Sequence, residues 1–253
     1  MNGTSLPRHC TASLLGACLL AAITMAHGET DTTKPAAAGT KDKPVKSVPV
    51  YQPPRRGSPA VRVGGATRGS DDPLPDLHVL APDHIALTVQ PQPVLQWYLS
   101  KPATVRFEFT LVSEDRIDPV LERDFGILQS RGIQQLDLAA TDITLEAGVR
   151  YQWSVALIPD EEARSGDVVA SGMIERVTVP PGLDEQLSNS SDIYTHAMAY
   201  AAAGIWYDAL AILSQLVRAN PGDATLRSQR AALLTQVGLP AAGLPDERGR
   251  DPN

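Results

Sequence analysis

Three groups of residues have types and spacings that could do chemistry. The first is Leu77-His78-Val79-Leu80-Ala81-Pro82-Asp83-His84. Two histidines with an aspartate beside the second are the raw material of a metal site or an oriented general base. No third ligand is evident, so the segment is expected to be a solvated loop at the entry to the first strand. The second group is Arg56, Arg62 and Arg68, set among Gly57, Gly64, Gly65 and Gly69. Glycines let successive N–H groups turn toward one point, and arginine grips an anion with two parallel bonds. Neither the Gly-Lys-Ser/Thr of a phosphate loop nor a strand–Gly-x-Gly-x-x-Gly–helix context accompanies them. The expectation is therefore a bent segment packed on the following domain, with anion binding as the alternative. The third is the pair Trp206 and Tyr207, expected in a core, with an exposed aromatic groove for a peptide as the alternative. Arg56, Arg62, Arg68, Trp206 and Tyr207 make up the candidate interaction surface.

Signatures of common enzyme classes are missing from the sequence. It contains no His-Glu-x-x-His, no Gly-x-Ser-x-Gly and no Ser-x-x-Lys. Glu161-Glu162 and Asp71-Asp72 lie in turn-rich contexts and read as solubilising charge. The reading is a protein without catalytic residues, metal or cofactor.

The elements that must hold these residues follow from composition. The chain has 253 residues, 43% hydrophobic and 20% charged, with a net charge of −7, which argues against nucleic acid as a partner. Arg8 is the only charge before residue 29, and a short apolar stretch with small residues at its end follows it. This describes a signal peptide over 1–28, cleaved after Ala26 or Gly28, and hence a periplasmic or secreted protein. A lipoprotein site at Cys18 and a retained anchor are the rival readings. Cys10 and Cys18, the two cysteines, both fall in this segment. The mature chain then carries 21 basic against 29 acidic residues and no thiol, and it folds in an oxidising compartment without a disulfide. Residues 29–54, with five prolines and four of the five lysines, read as a disordered linker. Residues 55–76 are the Arg/Gly segment, and 241–253 a disordered tail.

Between 77 and 180 the pattern has period two. Val105, Phe107, Phe109 and Leu111 alternate with Arg106, Glu108 and Thr110; Val149, Tyr151, Trp153, Val155 and Leu157 repeat the pattern, as do Leu95, Trp97 and Leu99. Ile85–Val89, Ile133–Leu138 and Val168–Val179 are further strands, the last long enough to bend or break. Six or seven strands predict a β-sandwich. Leu145, Gly148 and Tyr151 resemble the corner of fibronectin type III domains, in which the tyrosine hydroxyl bonds back to the backbone. From 183 to 240 the period becomes helical. Ala197, Tyr200 and Gly204 recur as Ala231, Leu234 and Gly238, a spacing of 34 that resembles a tetratricopeptide repeat followed by half of another. So short an array needs cover from the β-domain or another protein. The fold class is thus mainly β with a C-terminal α-helical part: a fibronectin/immunoglobulin-like β-sandwich plus a tetratricopeptide-like helical hairpin.

Taken together, Arg56-Gly57-x-Pro59-x-x-Arg62-Val63-Gly64-Gly65-x-Thr67-Arg68-Gly69, Leu77-x-x-Leu80-x-Pro82, Gly148-x-x-Tyr151-x-Trp153 and Tyr200-x-x-x-Gly204-Ile205-Trp206-Tyr207-Asp208-Ala209-Leu210 resemble a bacterial family, domain of unknown function 928. Ala66 departs from the triple glycine often found in that family. The resemblance implies an exported protein and supplies no activity.

The expected function is that of a non-enzymatic envelope module. Its partner is a protein or peptide, bound in a composite groove where the two halves meet, with no nucleic acid and no stable membrane span after processing. Two other classes stand beside it. One is a carbohydrate- or cell-wall-binding sandwich with Trp97 or Trp206 as the stacking platform, and the other a hydrolase with a site near His84.

Overall fold

The computed structural model describes residues 47–54 and 74–239. The expected signal peptide, the linker up to residue 46, the Arg/Gly segment from 55 to 73 and the tail lie outside the described residues.

Among the described residues, eight strands form two sheets: β1 (Leu77–Val79), β2 (Ala86–Thr88), β3 (Val94–Leu99), β4 (Arg106–Ser113), β5 (Leu121–Ile127), β6 (Gly132–Asp137), β7 (Arg150–Ile158) and β8 (Val168–Arg176). Four helices follow: α1 (Leu183–Ser188), α2 (Ile193–Ala202), α3 (Trp206–Ala219) and α4 (Ala224–Gln236). The protein is mainly β with helices at its C-terminal end. The orders are β1–β3–β6 and β2–β8–β7–β4–β5. β2 runs parallel to β8, and every other pair is antiparallel.

Alternation sets which faces meet. On β4, Phe107, Phe109 and Leu111 are fully buried, while Arg106, Glu108 and Thr110 between them are half-buried. Trp97 of the first sheet stacks on Phe107 of the second at 5.4 Å, so the two sheets share one core. β8 is a single strand ending at Arg176. β5 was not among the expected strands. It is an edge strand, Leu-Glu-Arg-Asp-Phe-Gly-Ile, whose charges blunt the edge and erase the alternation.

The corner before β7 closes as expected, since Tyr151 is buried and its hydroxyl accepts the Glu146 N–H at 3.0 Å. Asp192 and Asp223 cap α2 and α4 through their carboxylates. The ends of these two helices also match, 34 residues apart. Gly204 and Gly238 take φ of 75° and 73°. The next residues close the same bond, Ile205 N–H to Tyr200 O and Leu239 N–H to Leu234 O, each at a left-handed turn suited to glycine.

Candidate functional site

Where strands meet helices, the molecule has a seam. The chain crosses from β1 to β2, and hence from one sheet to the other, through residues 80–85. The first turn of α3 closes on that crossing. Trp206 and Tyr207 are 0% and 2% exposed, and both keep their polar ends bonded. Trp206 Nε1 donates to Leu80 O at 2.9 Å. The Tyr207 hydroxyl accepts from Trp153 Nε1 at 2.8 Å and donates to Met173 O at 3.0 Å. Burial pushes the Tyr207 phenol up. Beneath this bond lies Gly172, where a Cβ would come within 2.9 Å of Ala81 Cβ and 3.1 Å of Trp153 Nε1. Further along α3, Ser214 donates to Gln96 Oε1 on β3.

Asp208, one residue on, is the charged member of the seam. Its Oδ2 accepts from the Thr88 hydroxyl at 2.7 Å and the Val89 N–H at 3.3 Å, while Oδ1 is buried with no hydrogen-bond partner. Burial pushes the carboxyl up to about 6, against the pull of the Thr88 hydroxyl and the Val89 N–H.

The second feature is a strap, Ser47 to Gln52. It lies across α2 and α4 in the alternating manner of an extended chain, with Pro49 and Tyr51 buried and Val48 and Val50 58% and 61% exposed. Side chains of the helices hold its backbone. Tyr194 of α2 donates to Ser47 O, and Gln229 of α4 reaches the same carbonyl at 3.5 Å. Gln236 of α4 donates to Pro49 O at 2.8 Å and accepts the Tyr51 N–H at 2.9 Å. The Gln52 N–H bonds to Ala201 O. Gly204 makes the approach possible, because a Cβ there would sit 2.6 Å from Gln52 O. The Tyr51 ring enters an aromatic socket, edge-on to Trp206 at 5.0 Å and stacked with His84 at 5.9 Å. Its hydroxyl lies 2.9 Å from His84 Nε2.

Beside the strap runs an open apolar groove of about 620 Å³, between Val48, Pro49 and Val50 on one side and Ser228, Ala231 and Ala232 of α4 on the other. A second recess, about 400 Å³, lies on the outer face of β4 and β5. Two of its three arginines are engaged: Arg106 pairs with Glu108, Asp124 and Glu161, and Arg164 with Glu108 and Asp167.

The sequence profile of the family described as Domain of Unknown Function (DUF928) matches residues 63–243, most of the chain. The chain belongs to the DUF928 family. No curated protein matches it. The match takes in all the strands and helices, whereas the strap precedes it.

The residues singled out in this DUF928 chain fall in different places. Arg56, Arg62 and Arg68 lie outside the described residues. Trp206 and Tyr207 lie buried where strands and helices meet, the core placement expected for the pair, and the Trp206 ring meets Tyr51 of the strap. Large aromatic rings with bonded polar ends are more stable filling the gap between sheets than facing water. With the strap in place, Trp97, Trp153 and Trp206 are each at most 1% exposed. His84 holds Tyr51, with Asp83 Oδ1 3.6 Å from its Nδ1. His78 sits on β1 against Tyr98, and burial lowers its pKa despite the pull of Asp76. Among the described residues no group of three His, Cys, Asp or Glu side chains is placed to hold a metal ion. No helix among them is long and apolar enough to cross a membrane.

Residues 47–54 correct the linker boundary. The sequence puts them in the disordered stretch because prolines dominate, yet they pack on the helices. The signal that could have found them is the unbroken apolar run Val48-Pro49-Val50-Tyr51, which the preceding Lys/Pro stretch lacks.

Proposed function

We propose that this is an exported, non-enzymatic envelope protein that binds an extended segment of another envelope protein on its helical face. The observation that carries the reading is the strap. A short extended peptide lies across α2 and α4, gripped mainly through its backbone, and an open apolar groove continues the same surface. Backbone bonds supply affinity and the apolar groove supplies selectivity, the usual division of labour in peptide recognition. The strand orders and the Tyr151 corner support a fibronectin-type sandwich. The matching ends of α2 and α4, 34 residues apart, support a tetratricopeptide-like hairpin. Export to the periplasm or beyond rests on the N-terminal sequence alone.

A photo-activated cross-linking side chain at position 232, in the groove, tests the reading in envelope extracts. One discrete adduct is expected from position 232 and none from position 152, on the outer sheet face. Ala231→Arg should abolish the adduct without changing the melting temperature. Equal labelling from both positions, or none, would contradict the reading.

A further inference from the structure

The strap is held in a way that any peptide of similar shape would satisfy. Of its contacts with α2 and α4, the bonds from Tyr194, Gln229, Gln236 and Ala201 O all go to backbone atoms of residues 47, 49, 51 and 52. Such bonds recognise an extended chain and ignore its sequence. Sequence enters chiefly at the aromatic socket, where Trp206 and His84 take the Tyr51 ring and His84 Nε2 meets its hydroxyl. Upstream, Pro49 is buried, while Val48 and Val50 stand 58% and 61% exposed, so the strap leaves apolar surface wet. The helix side chains that hold the strap, and the socket at His84 and Trp206, lie within the region matched by the family, and their present occupant lies outside it.

We propose that the face of α2 and α4 on which the strap lies, with its socket at His84 and Trp206, is a peptide-binding site that the chain fills with its own residues 47–52. It takes in trans an extended partner segment whose tyrosine follows small apolar or prolyl residues. The strap then acts as a competing ligand held in cis. Partner affinity falls by the fraction of molecules whose site is vacant, and loosening the strap raises it. This inference rests on the reading of the helical face as a peptide-binding surface, and it names the ligand.

The probe is a fluorescein-labelled peptide, Ser-Val-Pro-Val-Tyr-Gln-Pro-Pro, and the readout is fluorescence polarisation with the full chain. The Tyr51→Ala chain empties the socket and should bind the probe at least about tenfold more tightly than wild type, a difference of ~1.4 kcal/mol. Replacing the probe tyrosine by alanine should remove binding, and adding Gln236→Ala to the Tyr51→Ala chain should weaken it about tenfold. Where Tyr51→Ala does not melt cooperatively, Gln52→Pro serves instead. It deletes the N–H bonded to Ala201 O and leaves the tyrosine in place. A cooperatively melting, strap-loosened chain that ignores the probe overturns the proposal. A strap-loosened chain that elutes as a dimer and excludes the probe also overturns it, by making a second copy the occupant. Either result leaves the cross-link from position 232 intact if the broader reading holds, so the two can fail separately.

Discussion

The seam and the strap both join distant parts of the chain, and they do so by opposite means. At the seam, Trp206 and Tyr207 are enclosed, and the bonds Trp206 Nε1 to Leu80 O and Trp153 Nε1 to the Tyr207 hydroxyl are buried. At the strap, backbone bonds lie near the surface, and two valines remain half or more exposed. A buried hydrogen bond is costly to break because the orphaned groups have no water to turn to. One near the surface is replaced by solvent or by another peptide. The difference teaches that the seam makes the fold, while the strap is an occupant of it.

The seam should show the largest effects. Trp206→Ala removes a fully buried ring from the crossing between sheets and should cost ~3–5 kcal/mol in denaturant unfolding, with strands and helices still lost in one transition. A loss below ~1 kcal/mol would mean that α3 merely rests on the sheets.

Asp208 makes the same contrast through pH. Its folded pKa, about 6, lies above the ordinary carboxyl value of 3.8. Its contribution to stability is therefore complete below pH 3.8 and lost as the pH rises through about 6. The amount is up to ~3 kcal/mol. Asp208→Asn cannot ionise, so the stability difference between wild type and variant should change by that order between pH 4 and 7, wild type losing ground as pH rises. Unfolding curves at several pH values check this, and a flat difference would place the carboxyl in a wetter setting.

Two hydroxyl deletions sharpen the comparison further. Tyr207→Phe leaves Trp153 Nε1 and Met173 O unpaired inside the seam and should cost ~2 kcal/mol. Tyr151→Phe leaves only the N–H of exposed Glu146, which water can reach, and should cost ~1 kcal/mol. Equal losses in urea melts would show that the seam is no drier than the corner.

How far the sequence discloses this can be seen in particular residues. Period-two alternation finds β4 and β7 because one face of each is dry and the other wetter, and it finds β3 from its residue types although Gln96 and Tyr98 on its other face are buried as well. It misses β5, where Glu122, Arg123 and Asp124 at an edge leave no dry face. The corner at Tyr151 is legible since the constraint is local: a turn and a hydroxyl five residues from its partner. The 34-residue recurrence is legible for the same reason, as helix ends repeat their glycines. The strap is not. Its partners, Ala201 and Gln236, lie about 150 and 185 residues away, and its prolines carry the composition of a linker. Trp206 and Tyr207 show the remaining limit. An aromatic pair at a helix start reads equally as plug or platform, and only the crossing between β1 and β2 decides it.

Native-state hydrogen exchange tests the central claim most directly, because it ranks both regions in one sample. Amides of α3 between Leu210 and Val217 should open with the same free energy as those of β7 between Trp153 and Leu157, within ~1 kcal/mol, as parts of one cooperative unit. The Tyr51 and Gln52 amides should exchange through a separate opening of lower free energy. Strap amides that exchange only with the core, or an α3 that opens well before β7, would contradict the account.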